Sequence, residues 1–253
     1  MTARIGRGCF IPFVALVFLG PASAAAPRPA LPEVMLWAWE RAEDLRALDQ
    51  RTGVAFLAQT ITIHAHGIRV DPRRWPLRIT DDAVLSAVTR IEFPAADAPT
   101  ADAEPQIALA IAHTATLPNV AGVQIDFDAV VSQRAFYRRV IERVRARLDD
   151  SVSLSITALA SWCVGDPWLD RLPIDEAVPM LFQLGPLNEP YREIALSPDA
   201  AHATCRSSVG TSMDEPLRVV SRGRRVYVFN PKPWTEESMS LARDYATGLK
   251  GPS

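Results

Sequence analysis

Short apolar runs recur along the chain, separated by amphipathic, polar or proline-containing stretches. VMLWAW (34–39), VAFLAQTITIHA (54–65), LSAVTRIEF (85–93) and VAGVQIDFD (120–128) are the first four. VSLSITAL (152–159), EAVPMLFQLG (176–185), SSVGTSMDE (207–215) and RVYVFNP (225–231) are the next. Most are close to the length of a buried strand, and the second is longer. Helical periodicity fills most of the gaps. It predicts helices over WERAEDLRALDQRTG (39–53), PQIALAIAHTATL (105–117), SQRAFYRRVIERVRARLDD (132–150) and TEESMSLARDYATGL (235–249), with a short one around Pro167–Leu172. Residues 132–150 carry the clearest pattern. Ser132 stands as N-cap, and Phe136, Val140, Val144 and Leu148 make one apolar stripe. The second run continues through Gly67 as a ribbon, which Pro72 and Pro76 break.

Eight strands alternating mostly with helices predict an α/β fold, a closed parallel (β/α)8 TIM-type barrel with a β-ribbon extension after strand two. An open doubly wound sheet would carry a glycine-rich phosphate turn after its first strand, and WAWERAED has none.

The first 26 residues differ in kind. Arg4 and Arg7 precede the apolar run CFIPFVALVFLG, and PASAAA follows. A basic start, a short apolar core and an A-x-A site make a secretory signal peptide, cut after Ala24 or Ala26. An uncleaved anchor is the alternative, though a span needs about 20 apolar residues. Residues 27–253 are then one barrel domain, periplasmic or secreted. Two cysteines remain, Cys163 and Cys205, and an exported chain with two is a candidate for one disulfide; two separate reduced thiols are the alternative. The formal net charge of -2 with scattered arginines gives no nucleic-acid footprint.

Active sites of such barrels lie at the C-terminal strand ends. Asp126 and Asp128 close the fourth strand, with Gln124 in phase. Carboxylates facing a core cost several kcal/mol unless paired, so this face is expected to open on a site. The other strand ends bring Glu40, Gln59, Glu92, Trp162, Gln183, the Asp214–Glu215 pair, Asn230 and Trp234. Carboxylates and amides bond sugar hydroxyls, and indoles stack on the apolar faces of sugar rings. Glycoside hydrolysis needs a carboxylic acid and a second group that stabilises the cation or activates water. Asp128 is the expected general acid, tuned by Asp126 through like-charge repulsion, with Glu40 and Glu92 as partners. Gln124, Gln59, Trp162, Gln183, Asp214, Asn230 and Trp234 are the expected substrate contacts.

GVQIDFD resembles the fourth-strand signature D-G-x-D-x-D-x-E of chitinase-type barrels, glycoside hydrolase family 18. Aligned on Gly122, Gln124 takes the middle aspartate, Asp126 the last and Asp128 the catalytic glutamate, while Ala121 replaces the first aspartate. MLFQLG at Met180–Gly185 is similar to the sixth-strand M-x-Y-D segment, with Phe182 for tyrosine and Gln183 for aspartate. Trp234 sits where that family places a sugar-platform tryptophan. QIDFDA, SITALASWC, LPIDEAVPMLFQLG and RRVYVFNPKPW resemble the secreted bacterial proteins grouped as domain-of-unknown-function family 3142, over nearly the whole chain after the signal. The departures from the chitinase pattern matter. Asp128 is shorter than glutamate by about 1.5 Å, roughly one C–C bond, and about 1 Å of misplacement can cost ~100-fold in rate. Phe182 and Gln183 lack the groups that would hold an N-acetyl nucleophile. The resemblance therefore implies a glycan site of a different kind, or a glycan-binding or envelope scaffold barrel without catalysis.

Other chemistries find less support. His64 and His66 have metal-ligand spacing but fall on the second strand or its ribbon, while His113 and His202 lie on a helix and in a loop. No G-x-S-x-G elbow is present. Arg138, Arg139, Arg143, Arg145 and Arg147 form a solvated helix back, and Trp37 and Trp39 read as packing. The expected protein is a monomer with a carbohydrate ligand and without metal, cofactor or nucleic acid.

Overall fold

The computed structural model describes residues 30–94, 99–185, 189–197, 199, 201–217 and 223–248. The segment expected to be a signal peptide, 1–26, lies outside the described residues. In chain order, β1 (Val34–Ala38) and the two-residue β2 (Glu43–Asp44) precede β3 (Thr52–His64), β4 (Gly67–Pro72), β5 (Leu77–Arg78) and β6 (Leu85–Glu92). Next come α1 (Ala103–Thr114), β7 (Val120–Asp126), α2 (Arg134–Arg145), β8 (Ser153–Leu159) and β9 (Glu176–Met180). The last elements are α3 (Glu189–Leu196), β10 (Ser208–Ser212), β11 (Arg225–Phe229) and α4 (Glu236–Ala246).

Eight strands run parallel in the order β1-β11-β10-β9-β8-β7-β6-β3, and β1 pairs with β3 to close the barrel. This is a TIM-type barrel, built from the eight apolar runs of the sequence. Closure removes the sheet edges. β3 outruns the barrel and folds back at Gly67 (φ 136°) into the antiparallel β4, the expected ribbon. Among the described residues, no helix is long and apolar enough to cross a membrane.

Strand alternation divides the apolar residues into two sets. One set packs between barrel and helices, where α2 buries Phe136, Tyr137, Val140, Ile141 and Val144. Each such side chain contributes roughly 1.5–3 kcal/mol on burial. The other set fills the barrel interior, with Met35, Trp37, Leu57, Val88, Val178 and Tyr227. Low in this interior, Glu176 accepts from Arg225 Nη1 at 2.6 Å and from the Tyr227 hydroxyl at 2.6 Å. The buried carboxylate is thereby paired, as burial demands.

Three local expectations are corrected. Residues 39–53 form β2 and turns instead of a helix. Asp44 Oδ1 accepts from the Arg46 amide, and Asp49 Oδ1 accepts from the Arg51 amide and the Thr52 hydroxyl. Such local bonds compete with helical ones. Arg41 reaches the carbonyls of Asn230, Pro231 and Lys232, and Glu43 accepts from the Trp234 amide at 2.9 Å, so this segment is held against the chain after β11. Ser132 does not cap α2. A 3-10 turn over Val131–Gln133 leads into the helix, and Gln133 Oε1 accepts from the Val130 amide. The helix expected around Pro167–Leu172 is a single 3-10 turn, Pro167–Leu169, with Asp166 accepting from the Trp168 amide.

Cys163 and Cys205 form a disulfide with Cα atoms 5.9 Å apart. It ties the turn after β8 to the turn before β10, and the His202 amide donates to the Cys163 carbonyl beside it.

Candidate functional site

The barrel opens at the C-terminal ends of its strands into a cavity of about 460 Å³. That volume suits a small ligand or one end of a larger one. Its floor is Trp37, whose indole stacks on Tyr227 at 5.2 Å and donates to Gln124 Oε1 at 2.8 Å. Gly210 makes room for this indole: a Cβ there would stand 2.9 Å from Trp37 Cη2.

The polar wall follows from register. Arg90 on β6 lies beside Asp126 on β7, and the β7–β8 pairing of Gln124 with Ser155 brings Thr157 to the same level. Arg90 Nη1 donates to Asp126 Oδ2 at 2.9 Å, and the Thr157 hydroxyl donates to Oδ1 at 2.7 Å. Asp126 is buried, and burial raises its pKa; Arg90 and Thr157 oppose the shift, while neighbouring Asp128 adds to it. Asp128 is exposed at the mouth, and among the described residues it has no hydrogen bond or ion pair.

Across the barrel stands an aromatic wall. Phe182 and Phe229 stack at 5.6 Å with their planes 6° apart, and Trp39 completes it beside Arg90, whose Cζ lies 5.9 Å from the indole centroid. Gln183 also lines the cavity, in a left-handed conformation (φ 53°) that few non-glycine residues adopt. Its backbone N–H donates to Glu215 Oε2 at 2.7 Å, and Glu215 is paired with Arg192. That amide hydrogen bond leads the causes that hold the Glu215 pKa below its ordinary value.

Of the residues singled out in the sequence, Asp126, Asp128 and Gln183 line this cavity. Gln124 lies just beneath, fully buried, spent on Trp37 and on the Ser155 hydroxyl. The others lie elsewhere. Glu40 accepts from the Arg74 amide at 3.0 Å, and Glu92 is exposed, 3.6 Å from Arg90 Nε. Gln59 turns outward to the Ala110 carbonyl of α1, because a β-bulge between Leu57 and Gln59 reverses the phase of β3. Trp162 is buried against Trp168, with ring centroids 4.9 Å apart. Asp214 accepts from the Ser212 hydroxyl, and Asn230 closes its own turn by accepting from the Lys232 amide. Trp234 is no exposed platform: it is buried, and its indole donates to the Trp37 carbonyl at 2.9 Å.

Arg90, Thr157, Trp39, Phe182 and Phe229 belong to the cavity without having been singled out as contacts. Alternation was the available signal, since each lies within two residues of the C-terminal end of a barrel strand and lines the cavity. His64 and His66 sit exposed at the ribbon turn, and among the described residues no group of three or more His, Cys, Asp or Glu is placed to hold a metal ion. Compared with models of known protein families and with curated proteins, the chain matches none.

Proposed function

We propose that this chain is an exported barrel that takes a saccharide at its mouth and acts on it by acid/base catalysis through Asp126 and Asp128. One observation carries the reading: two carboxyls on one strand end, in contrasting environments, face an aromatic wall across a small cavity. Carboxyl pairs set apart by burial divide acid and base roles. Burial raises the pKa of Asp126 and suits it to hold a proton, whereas Asp128 meets water at the mouth. This reverses the roles expected from sequence, in which Asp128 was the acid. The likeness of GVQIDFD to the chitinase-type fourth strand supports the choice of strand, and the N-terminal segment together with the disulfide supports export.

A second reading, saccharide binding without cleavage, has its own support. Both Asp126 oxygens already accept hydrogen bonds, and among the described lining residues the wall opposite carries no carboxylate. Incubation with a panel of oligosaccharides separates the two. Hydrolysis lost by roughly 100-fold or more in Asp126→Asn and Asp128→Asn, with Asp128→Asn melting as the parent does, is the expected result. A saccharide bound but returned intact selects the second reading. A parent that neither binds nor cleaves any of the panel overturns both.

A further inference from the structure

The charges facing the cavity narrow the class of saccharide. Among the described lining residues, Arg90, Asp126 and Asp128 are the charged ones. Arg90 is engaged: Nη1 is on Asp126, Nε lies 3.6 Å from Glu92, and the guanidinium stands over Trp39. Even with Asp126 protonated as the acid, Glu92 offsets this charge, and Asp126 and Trp39 occupy the guanidinium before any ligand arrives. Asp128 has no such partner among the described residues. In the strand order β11 lies directly opposite β7, so the strand end that carries Asp128 stands across the mouth from that of Phe229, and Phe182, stacked on Phe229, lines the same cavity.

Each class of sugar meets this arrangement differently. An anionic sugar would need a free cation, and the lining arginine is already paired. A neutral sugar would displace water from Asp128 while leaving its charge uncompensated. An ammonium would donate a charge-assisted hydrogen bond to Asp128 and gain the attraction of the aromatic faces across the cavity. We propose that the cavity takes a sugar unit bearing a free amino group, its ammonium held by Asp128 against the aromatic wall. The proposal rests on the saccharide reading above and adds the charge of the ligand.

Binding titrations near pH 6 with four length-matched probes test it: a glucosamine oligomer, its N-acetylated counterpart, a neutral glucose oligomer and a uronic acid oligomer. The glucosamine oligomer is expected to bind roughly 10- to 100-fold more tightly than the neutral one, the range a hydrogen bond to a charged group supplies. Rising salt should erode that advantage and leave the neutral affinity nearly fixed. Asp128→Asn should bring the two affinities together. Equal binding of amine and neutral probes, or a preference that survives both salt and Asp128→Asn, overturns the ammonium assignment and leaves the saccharide reading standing. Failure of all four probes to bind overturns the saccharide reading as well. The salt series uses the unaltered protein, so it decides the matter even if the variant does not fold.

Discussion

Replacing Cys163 and Cys205 together by alanine removes the bridge between the turn after β8 and the turn before β10. The two residues are 42 apart in sequence. On the chain-entropy argument, freeing a loop of that length destabilises the fold by about 4 kcal/mol at 25 °C. A domain has a total of only about 5–15 kcal/mol, so the change should be plain in a urea titration as a lower midpoint. Alanine is the right replacement, because both positions are fully buried and a serine hydroxyl would want a partner there. The same burial predicts that dithiothreitol alone leaves the folded bridge intact and reduces it once urea opens the chain, since exchange needs access to sulfur. The bridge also anchors the turn that supplies Ala160 and Ser161 to the cavity wall, so the double variant should bind saccharide more weakly. A loss of stability below about 1 kcal/mol would refute the reasoning, and so would ready reduction of the native protein.

Other expectations concern the interior and the cavity wall. Gly210→Ala drives a methyl against the Trp37 ring and the Pro179 carbonyl, and should destabilise by about 1–3 kcal/mol in urea melts while disturbing the cavity floor. Tyr227→Phe removes the hydroxyl that donates to buried Glu176; about 1–2 kcal/mol should be lost in the same assay, because Arg225 still compensates the charge. The folded-state pKa of Glu215 is depressed, so its contribution is present above the ordinary value of 4.5 and lost as pH falls through the folded value below it. Melting curves of the parent and Glu215→Gln should therefore differ at pH 6 and converge as the solution is acidified; a gap that widens in acid would contradict this.

The barrel was legible because its eight strands are apolar runs, and a buried strand carries its own length and punctuation. The stretch 39–53 misled because its spacing of leucines suits a helix, while Asp44 and Asp49 bond their own turns and Arg41 and Glu43 answer to residues about 190 positions away. No periodicity reports such partners. The carboxyl pair of the site was visible as polar residues in a buried strand, and the amide Gln183 beside its sixth-strand motif. Gln59 was misplaced by a bulge, which shifts the side-chain phase without a clear trace in composition. Trp234 and Trp39 exchanged roles for a similar reason. Sequence shows that an indole is near the mouth, but only packing decides which one is spent on a backbone carbonyl and which faces the cavity.

The central claim is that saccharide binds in the cavity at the barrel mouth, and the indole N–H signals of the six tryptophans report on it directly. Trp37 and Trp39 line the cavity, Trp162, Trp168 and Trp234 are buried elsewhere, and Trp75 is 54% exposed. With each signal assigned by single replacement, a glucosamine oligomer titrated into the nitrogen-15-labelled protein should move the Trp37 and Trp39 resonances together, saturably, and leave the Trp75 resonance in place. Movement confined to Trp75, or no movement at any indole at millimolar oligomer, would contradict the account.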